Sequence, residues 1–254
     1  MRFVKIEAAG NDYIYVDLTE SSACAFVPPA CAWVRGICDR HFGVGADGVV
    51  YVLRENNAYR MIIYNADGSR ARICGNALRS IAYYLDVRYR VGFPLSVNTD
   101  SGVSRLEKTN DGYAVDLGVA ALVGMGSVDE LAYSIIDVGN LHAVCMTDEE
   151  RLTVCAEKIR TALPDKALNV ETYRVGADGE ISMAVDEYGT GRTLACGSGA
   201  CAVCYDACLR GLRTYGLETV VRMAGGTVRV SCGKEGGVRL MGSARIVFLG
   251  DYDD

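Results

Sequence analysis

Proline is scarce, four in 254 residues, so extensive disorder is not expected and a packed core is feasible. Only two histidines are present, and neither has nearby partners at ligand spacing, so no metal is implied. An excess of positive charge is lacking too. The 26 Lys and Arg stand against 32 Asp and Glu, a net −6, which argues against a phosphate-backbone partner; nucleic acid is not expected. Long apolar runs are missing: the longest, Ala23 to Val34, contains Pro28 and Pro29. The opening Met1-Arg2-Phe3-Val4-Lys5-Ile6-Glu7 places charges where a signal peptide needs an apolar stretch, so neither a membrane span nor secretion is expected.

What is abundant is small and apolar: 50% hydrophobic residues, 29 glycines and 11 cysteines. The length suits one large domain or two small ones. Eleven is an odd number of cysteines in a chain too large to need disulfide staples, so a reducing cytoplasm with mostly free thiols is the natural setting.

Strand-like runs rich in β-branched and aromatic residues recur at Tyr13 to Val16, Val49 to Leu53, Met61 to Tyr64, Tyr113 to Val119, Val220 to Met223, Thr227 to Val230 and Arg245 to Leu249. Helical patterns cover Ala77 to Leu85, Asp148 to Leu163 and Gly199 to Leu212. The class is mixed α/β with much antiparallel pairing. One echo stands out. Cys74-Gly75-Asn76-Ala77 opens one helical run and Cys196-Gly197-Ser198-Gly199 opens another, nearly half the chain apart. This reads as duplication, with each half presenting a Cys-Gly at a helix start and a boundary near Leu117 to Val123.

The first turn of a helix has unpaired N–H groups and partial positive charge, so a cysteine there is expected to have its thiolate favoured and its pKa drawn below the usual value of about 8.5. The same N–H groups, uncrowded at Gly75 and Gly197, can seat a carboxylate. Two such halves facing one amino acid could take the α-proton from one side and return a proton from the other, which is racemisation without a cofactor. Two rival patterns compete. Cys196-x4-Cys201-x2-Cys204 with Cys232 has the spacing of a [2Fe-2S] site, although the helical recurrence of Ala200, Val203, Cys204 and Ala207 speaks against it. Gly43-Val44-Gly45-Ala46-Asp47-Gly48 satisfies a dinucleotide fingerprint but precedes a strand, so a turn is the better account.

Six blocks, in order, resemble the diaminopimelate epimerases: Ala9-Gly10-Asn11-Asp12-Tyr13; Cys38 to Gly48; Asn65-Ala66-Asp67-Gly68-Ser69 leading to Cys74-Gly75-Asn76; Val138-Gly139-Asn140-Leu141-His142; Asn169-Val170-Glu171; and Thr193 to Ala200. The resemblance implies two pseudo-symmetric domains, each a curled, mostly antiparallel sheet around a central helix, over residues 1–118 and 119–242. Residues 243–254 would return to the first. It implies Cys74 and Cys196 as the acid/base pair, His142 helping to set a thiol's protonation, and Asn11, Asn65, Asn76, Asn140, Asn169 and Ser198 lining the substrate pocket. It also implies a homodimer with no cofactor.

Departures from the family carry the substrate question. Where its members generally read Glu-Arg-Gly-x-Gly-Glu-Thr, this chain reads Glu187-Tyr188-Gly189-Thr190-Gly191-Arg192-Thr193. Tyr188 replaces the arginine expected to bind the far carboxylate of diaminopimelate, and Arg192 replaces an acid, which is expected to favour the Cys196 thiolate. The expectation is a free amino acid without a remote carboxylate, histidine among the candidates, with diaminopimelate as the alternative.

Overall fold

A computed structural model describes residues 1–20, 26–55 and 58–253. Of the apolar run from Ala23, residues 23–25 lie outside the described residues. The chain divides into two units, Met1–Val115 with Gly242–Asp254, and Asp116–Met241.

In the first unit, β1 (Arg2–Ala8) lies antiparallel to β2 (Asn11–Leu18). Helix α1 (Cys31–Cys38) then leads to β3 (Gly48–Glu55), which runs parallel to β2 and antiparallel to β4 (Ala58–Asn65). After the short β5 (Arg70–Ala71) comes α2 (Gly75–Tyr89). The unit continues with β6 (Leu95–Thr99) parallel to β4, then β7 (Gly102–Thr109) and β8 (Gly112–Val119) as antiparallel additions.

The second unit repeats this order of pairings. Strand β9 (Ala121–Val128) pairs antiparallel with β10 (Leu131–Asp137), and β10 with β11 (Leu141–Cys145). A 3-10 turn (Glu149–Arg151) and α3 (Leu152–Ala162) lead to β12 (Leu168–Val175), parallel to β11 and antiparallel to β13 (Ile181–Glu187). Then β14 (Gly191–Thr193), α4 (Gly197–Leu209), β15 (Glu218–Met223), β16 (Gly226–Cys232) and β17 (Gly237–Gly242) follow in the places of β5, α2, β6, β7 and β8. The last strand, β18 (Arg245–Asp251), returns to β1 and holds there the position that β9 holds on β10.

The two Cys-Gly helices are the cores of their units. In α2, Ala77, Leu78, Ile81, Ala82 and Leu85 have no exposed surface. Its contacts include β1, β7 and β18. In α4, Ala200, Cys201, Ala202, Val203, Cys204 and Ala207 are all buried, and the helix touches β10 to β13, β15 and β16. Apolar residues all round a helix fit it to burial on every side, and small ones let strands approach closely. Removing a side chain such as Leu78 would cost about 2–5 kcal/mol.

All seven strand readings fall inside strands, and all three helical readings overlap helices. The last helix ends at Leu209, earlier than Leu212, because Gly211 turns the chain at φ +73°. Helix α1 and eleven other strands among the described residues were not anticipated. Strand β9 shows why: Leu122, Val123 and Met125 are exposed, and Gly124 and Gly126 dilute the pattern. A Cβ at Gly126 would lie 2.5 Å from the Tyr133 hydroxyl oxygen, so the glycine admits a ring from β10. Gly43 to Gly48 is a turn followed by β3, as expected. Among the described residues no helix is long and apolar enough to cross a membrane.

Candidate active site

Each unit places its Cys-Gly cysteine at a helix N-cap. Cys74 has extended backbone (φ −148°, ψ 118°), and its Sγ accepts the Ala77 N–H at 3.5 Å. Cys196 repeats the conformation (φ −132°, ψ 116°) and accepts the Gly199 N–H at 3.4 Å. Sulfur thus takes the role of an N-capping oxygen, satisfying one otherwise unpaired donor of the first turn.

Around Cys74 the groups come from β2 and from the turn before β3. The Tyr13 hydroxyl donates to Sγ at 3.6 Å, and Asn11 Oδ1 stands 3.7 Å from the sulfur. Asn11 is itself held, its Nδ2 donating to Asp47 Oδ2 at 2.7 Å and its Oδ1 accepting from Asn76 Nδ2 at 3.3 Å. Arg40 bridges Asp47 (2.8 Å) and Asp12 (2.6 Å), and buried Lys5 pairs with Asp12 at 2.6 Å. Burial pushes the Asp12 carboxyl up, but Arg40 and Lys5 outweigh it and hold it below the usual range. Burial first, and Cys74 second, raise the Tyr13 phenol, which keeps its proton and serves as a donor. Asn76 lies beneath this surface, its oxygen taken by Arg79 at 2.8 Å. Asn65 is exposed at the end of β4 and donates to Ser69 Oγ at 3.0 Å.

Around Cys196 the chemistry is different. His142 on β11 and Glu171 on β12 are fully buried, with Nδ1 2.6 Å from Oε1. The other ring nitrogen is 3.0 Å from Asn140 Oδ1. Ligating atoms of His142, Glu171 and Cys196 all lie within 4.8 Å of one another, and Ser198 Oγ is 3.4 Å from the thiol. The second carboxylate oxygen of Glu171 is buried without a hydrogen-bond partner. Asn169 spends its side chain on backbone, donating to Leu141 O at 3.2 Å and accepting the Tyr188 N–H at 3.1 Å.

Two expectations about Cys196 are corrected. Its thiol is not drawn down by the helix start: burial raises it well above the usual value, Glu187 and Glu171 add to the rise, and the Ser198 and Gly199 hydrogen bonds do not compensate. Nor does Arg192 act on it. Arg192, on β14, forms an ion pair with Glu149, both side chains more than half exposed. The [2Fe-2S] set is also not assembled. Cys201 and Cys204 lie within α4, where residues three apart cannot form the irregular loop a cluster needs, while Cys196 sits at the opposite end beside His142.

Sequence reasoning missed Tyr13, Asp47, Glu171 and Glu187. The strand period could have found two of them: Tyr13 is two residues beyond Asn11, and Glu171 two beyond Asn169, so each shares a face with a residue already singled out. Asp47 and Glu187 have no such signal, since turns and hydrogen bonds to Asn11 and to Thr193 place them.

Comparison with known proteins agrees with the geometry. A family model described as diaminopimelate epimerase matches residues 3–123. A diaminopimelate epimerase of Desulfitobacterium hafniense is 35% identical, covering 98% of this chain and 97% of its own length. One from Geobacillus thermodenitrificans is 31% identical over 98% and 96%. A phenazine biosynthesis protein of the PhzF family from Bacillus anthracis shares the fold, with a TM-score of 0.76 at 14% identity over 100% of this chain and 99% of that one. Identity of 31–35% over nearly the full length of these relatives makes this chain, with a cysteine capping the buried helix of each unit, an isomerase of the diaminopimelate epimerase family.

Proposed function

We propose that the chain inverts the α-carbon of a free amino acid with Cys74 and Cys196 acting on one substrate from opposite sides, and that this substrate is diaminopimelate. The observation that carries the chemistry is the repeated N-cap cysteine. The substrate rests on relatives named diaminopimelate epimerase at 31–35% identity over nearly the whole chain.

Burial and two carboxylates keep Cys196 in its thiol form, which suits it to deliver a proton. Cys74 takes the α-proton and leaves a carbanion whose charge spreads into the α-carboxylate. Free N–H groups at the helix starts, with Gly75 and Gly197 leaving room, receive that carboxylate. The Cys196 thiol delivers its proton to the opposite face, and the reverse reaction exchanges the roles. Glu171 and Asn140 orient His142 beside Cys196, where the ring tunes the thiol. Asn11, Asn65, Asn140 and Ser198 belong to the pocket in this reading, with Asn76 and Asn169 as supports.

A second reading has one observation in its favour. Tyr188 stands where the family's far-carboxylate arginine would be, and the Arg160 guanidinium lies over its ring, 6.0 Å from the centroid. Each nitrogen of Arg160 already donates one bond, to Leu168 O, to Asp186 O and to the Asp186 carboxylate at 2.6 Å. An exposed aromatic ring backed by a committed cation favours an amino acid without a second carboxylate, such as histidine. Incubation in D2O with diaminopimelate and a panel of L-amino acids, following α-deuterium uptake, tests both. Fastest exchange on diaminopimelate supports the main reading, and fastest exchange on histidine or another monocarboxylate supports the second. No exchange on any of them ends the two-thiol proposal. Ten free cysteines among the described residues support a reducing cytoplasm, and exposed Val247, Phe248 and Leu249 on β18 support a homodimer.

A further inference from the structure

At the other end of α4 from Cys196 lies a cluster that the isomerase chemistry does not use. Cys204 and Cys208 stand one helical turn apart, and Cys232 ends β16, which packs on the helix. The three sulfurs lie within 4.8 Å of one another, and the residues are 0%, 5% and 1% exposed. At about 1.5 Å per residue, Cys204 and Cys208 are about 12 and 18 Å along the helix from Cys196.

A buried thiol ordinarily packs as a small hydrophobe, with carbon around it. Here sulfur faces sulfur, and polar groups border the trio. The Val230 carbonyl is 3.9 Å from Cys204 Sγ, and the Thr219 hydroxyl accepts from Arg213 Nε at 3.1 Å. Arg213 lies close enough for its charge to act on the Cys208 sulfur.

Position on the helix decides what such a group can hold. Cys208 is in the last turn of α4, at the negative end of the helix dipole. That field disfavours bare thiolates and favours a cation among them, the reverse of the field at Cys196. Charge balances as well: three thiolates are neutralised by a divalent ion together with Arg213, or two thiolates and one thiol by a monovalent ion together with Arg213. Soft sulfur ligands select closed-shell thiophilic ions over Mg2+ or Ca2+.

We propose that Cys204, Cys208 and Cys232 form a thiolate site for one thiophilic d10 cation, Zn2+ or Cu+. Binding is ligand exchange without redox: the ion loses water and the thiols release protons, three for Zn2+ and two for Cu+.

The test uses the full chain, reduced, stripped of metal and kept anaerobic. Zn2+ is titrated against a chromophoric chelator, with Co2+ as its spectroscopic stand-in, and Cu+ against a Cu+-specific chelator; the two arms distinguish the ions. The expected result is one equivalent bound in at least one arm, with sulfur-to-cobalt charge transfer when Zn2+ is the ion. Cys208→Ser and Cys232→Ser should each weaken binding at least tenfold, whereas Cys196→Ser should leave it unchanged. Because a serine in the core can unfold the unit, a second measurement uses the wild-type chain alone: the bound ion should protect Cys204, Cys208 and Cys232 from alkylation, mapped by mass spectrometry. Three results overturn the proposal: no stoichiometric binding in either arm, binding abolished by Cys196→Ser, or alkylation of the trio unaffected by metal.

Discussion

Gly199→Ala isolates the packing that aims the cluster of His142, Glu171 and Cys196. Gly199 is the third residue of α4, and its backbone is not left-handed, so the substitution introduces no backbone strain. On helix propensity alone alanine should stabilise by up to about 1 kcal/mol. The added Cβ, however, would lie 2.7 Å from Glu171 Oε1 and 3.3 Å from Cys196 Cβ. Glu171 cannot retreat cheaply, since it is fully buried and that oxygen is the one 2.6 Å from His142 Nδ1. Displacing it costs about 1–3 kcal/mol in overpacking and weakens a charge-assisted bond of about 1.5–3 kcal/mol. Set against the propensity gain, the net is a destabilisation of about 2 kcal/mol, or about 4–8 °C in Tm for a chain of this size. Gly36→Ala is the control. It lies in α1 with nothing within 4 Å of a new Cβ, and should raise stability by about 0.5–1 kcal/mol. Calorimetry gives both numbers, and α-deuterium uptake reports whether the displaced Glu171 slows proton transfer. A Gly199→Ala protein as stable as wild type, exchanging at the wild-type rate, would refute the claim that Glu171 occupies the space a Cβ at Gly199 needs.

Tyr13→Phe removes a donor 3.6 Å from Cys74 Sγ. We expect kcat for epimerisation to fall about tenfold, with KM little changed and stability within about 1 kcal/mol of wild type; an unchanged kcat would remove Tyr13 from the site. The pH dependence of stability should carry the mark of Cys38, whose thiol burial raises to about 11. Below the ordinary thiol value of about 8.5 both states keep the proton and the group contributes no slope. From there to about 11 only the unfolded chain gives it up, so stability falls as pH rises, and Cys38→Ala should flatten that part of a denaturation series. Arg192→Ala breaks an ion pair with both partners more than half exposed, and should change stability by less than about 1 kcal/mol in a double-mutant cycle with Glu149→Ala.

The repeat of a cysteine-capped helix is legible in the order of residues alone. Cys74-Gly75 and Cys196-Gly197 each precede a helical run with apolar residues at helical intervals, small ones in the second, and local rules suffice to put such a cysteine at an N-cap. The alternating, β-branched strands were legible for the same reason, because a period of two is written in neighbouring residues. Poorly patterned strands such as β9 were not, since pairing with β10 makes them strands. Only tertiary structure decided the state of Cys196. A helix start alone predicts a favoured thiolate, but strand register brings Glu171 from β12 and Glu187 from the end of β13 against a buried sulfur, and desolvation with two like charges wins. It also decided that Arg192 pairs with Glu149 across 43 positions of sequence, and that three thiols meet at the far end of α4. Propensity and periodicity are properties of adjacent residues, whereas charge, burial and ligand geometry depend on groups that the chain brings together only by folding.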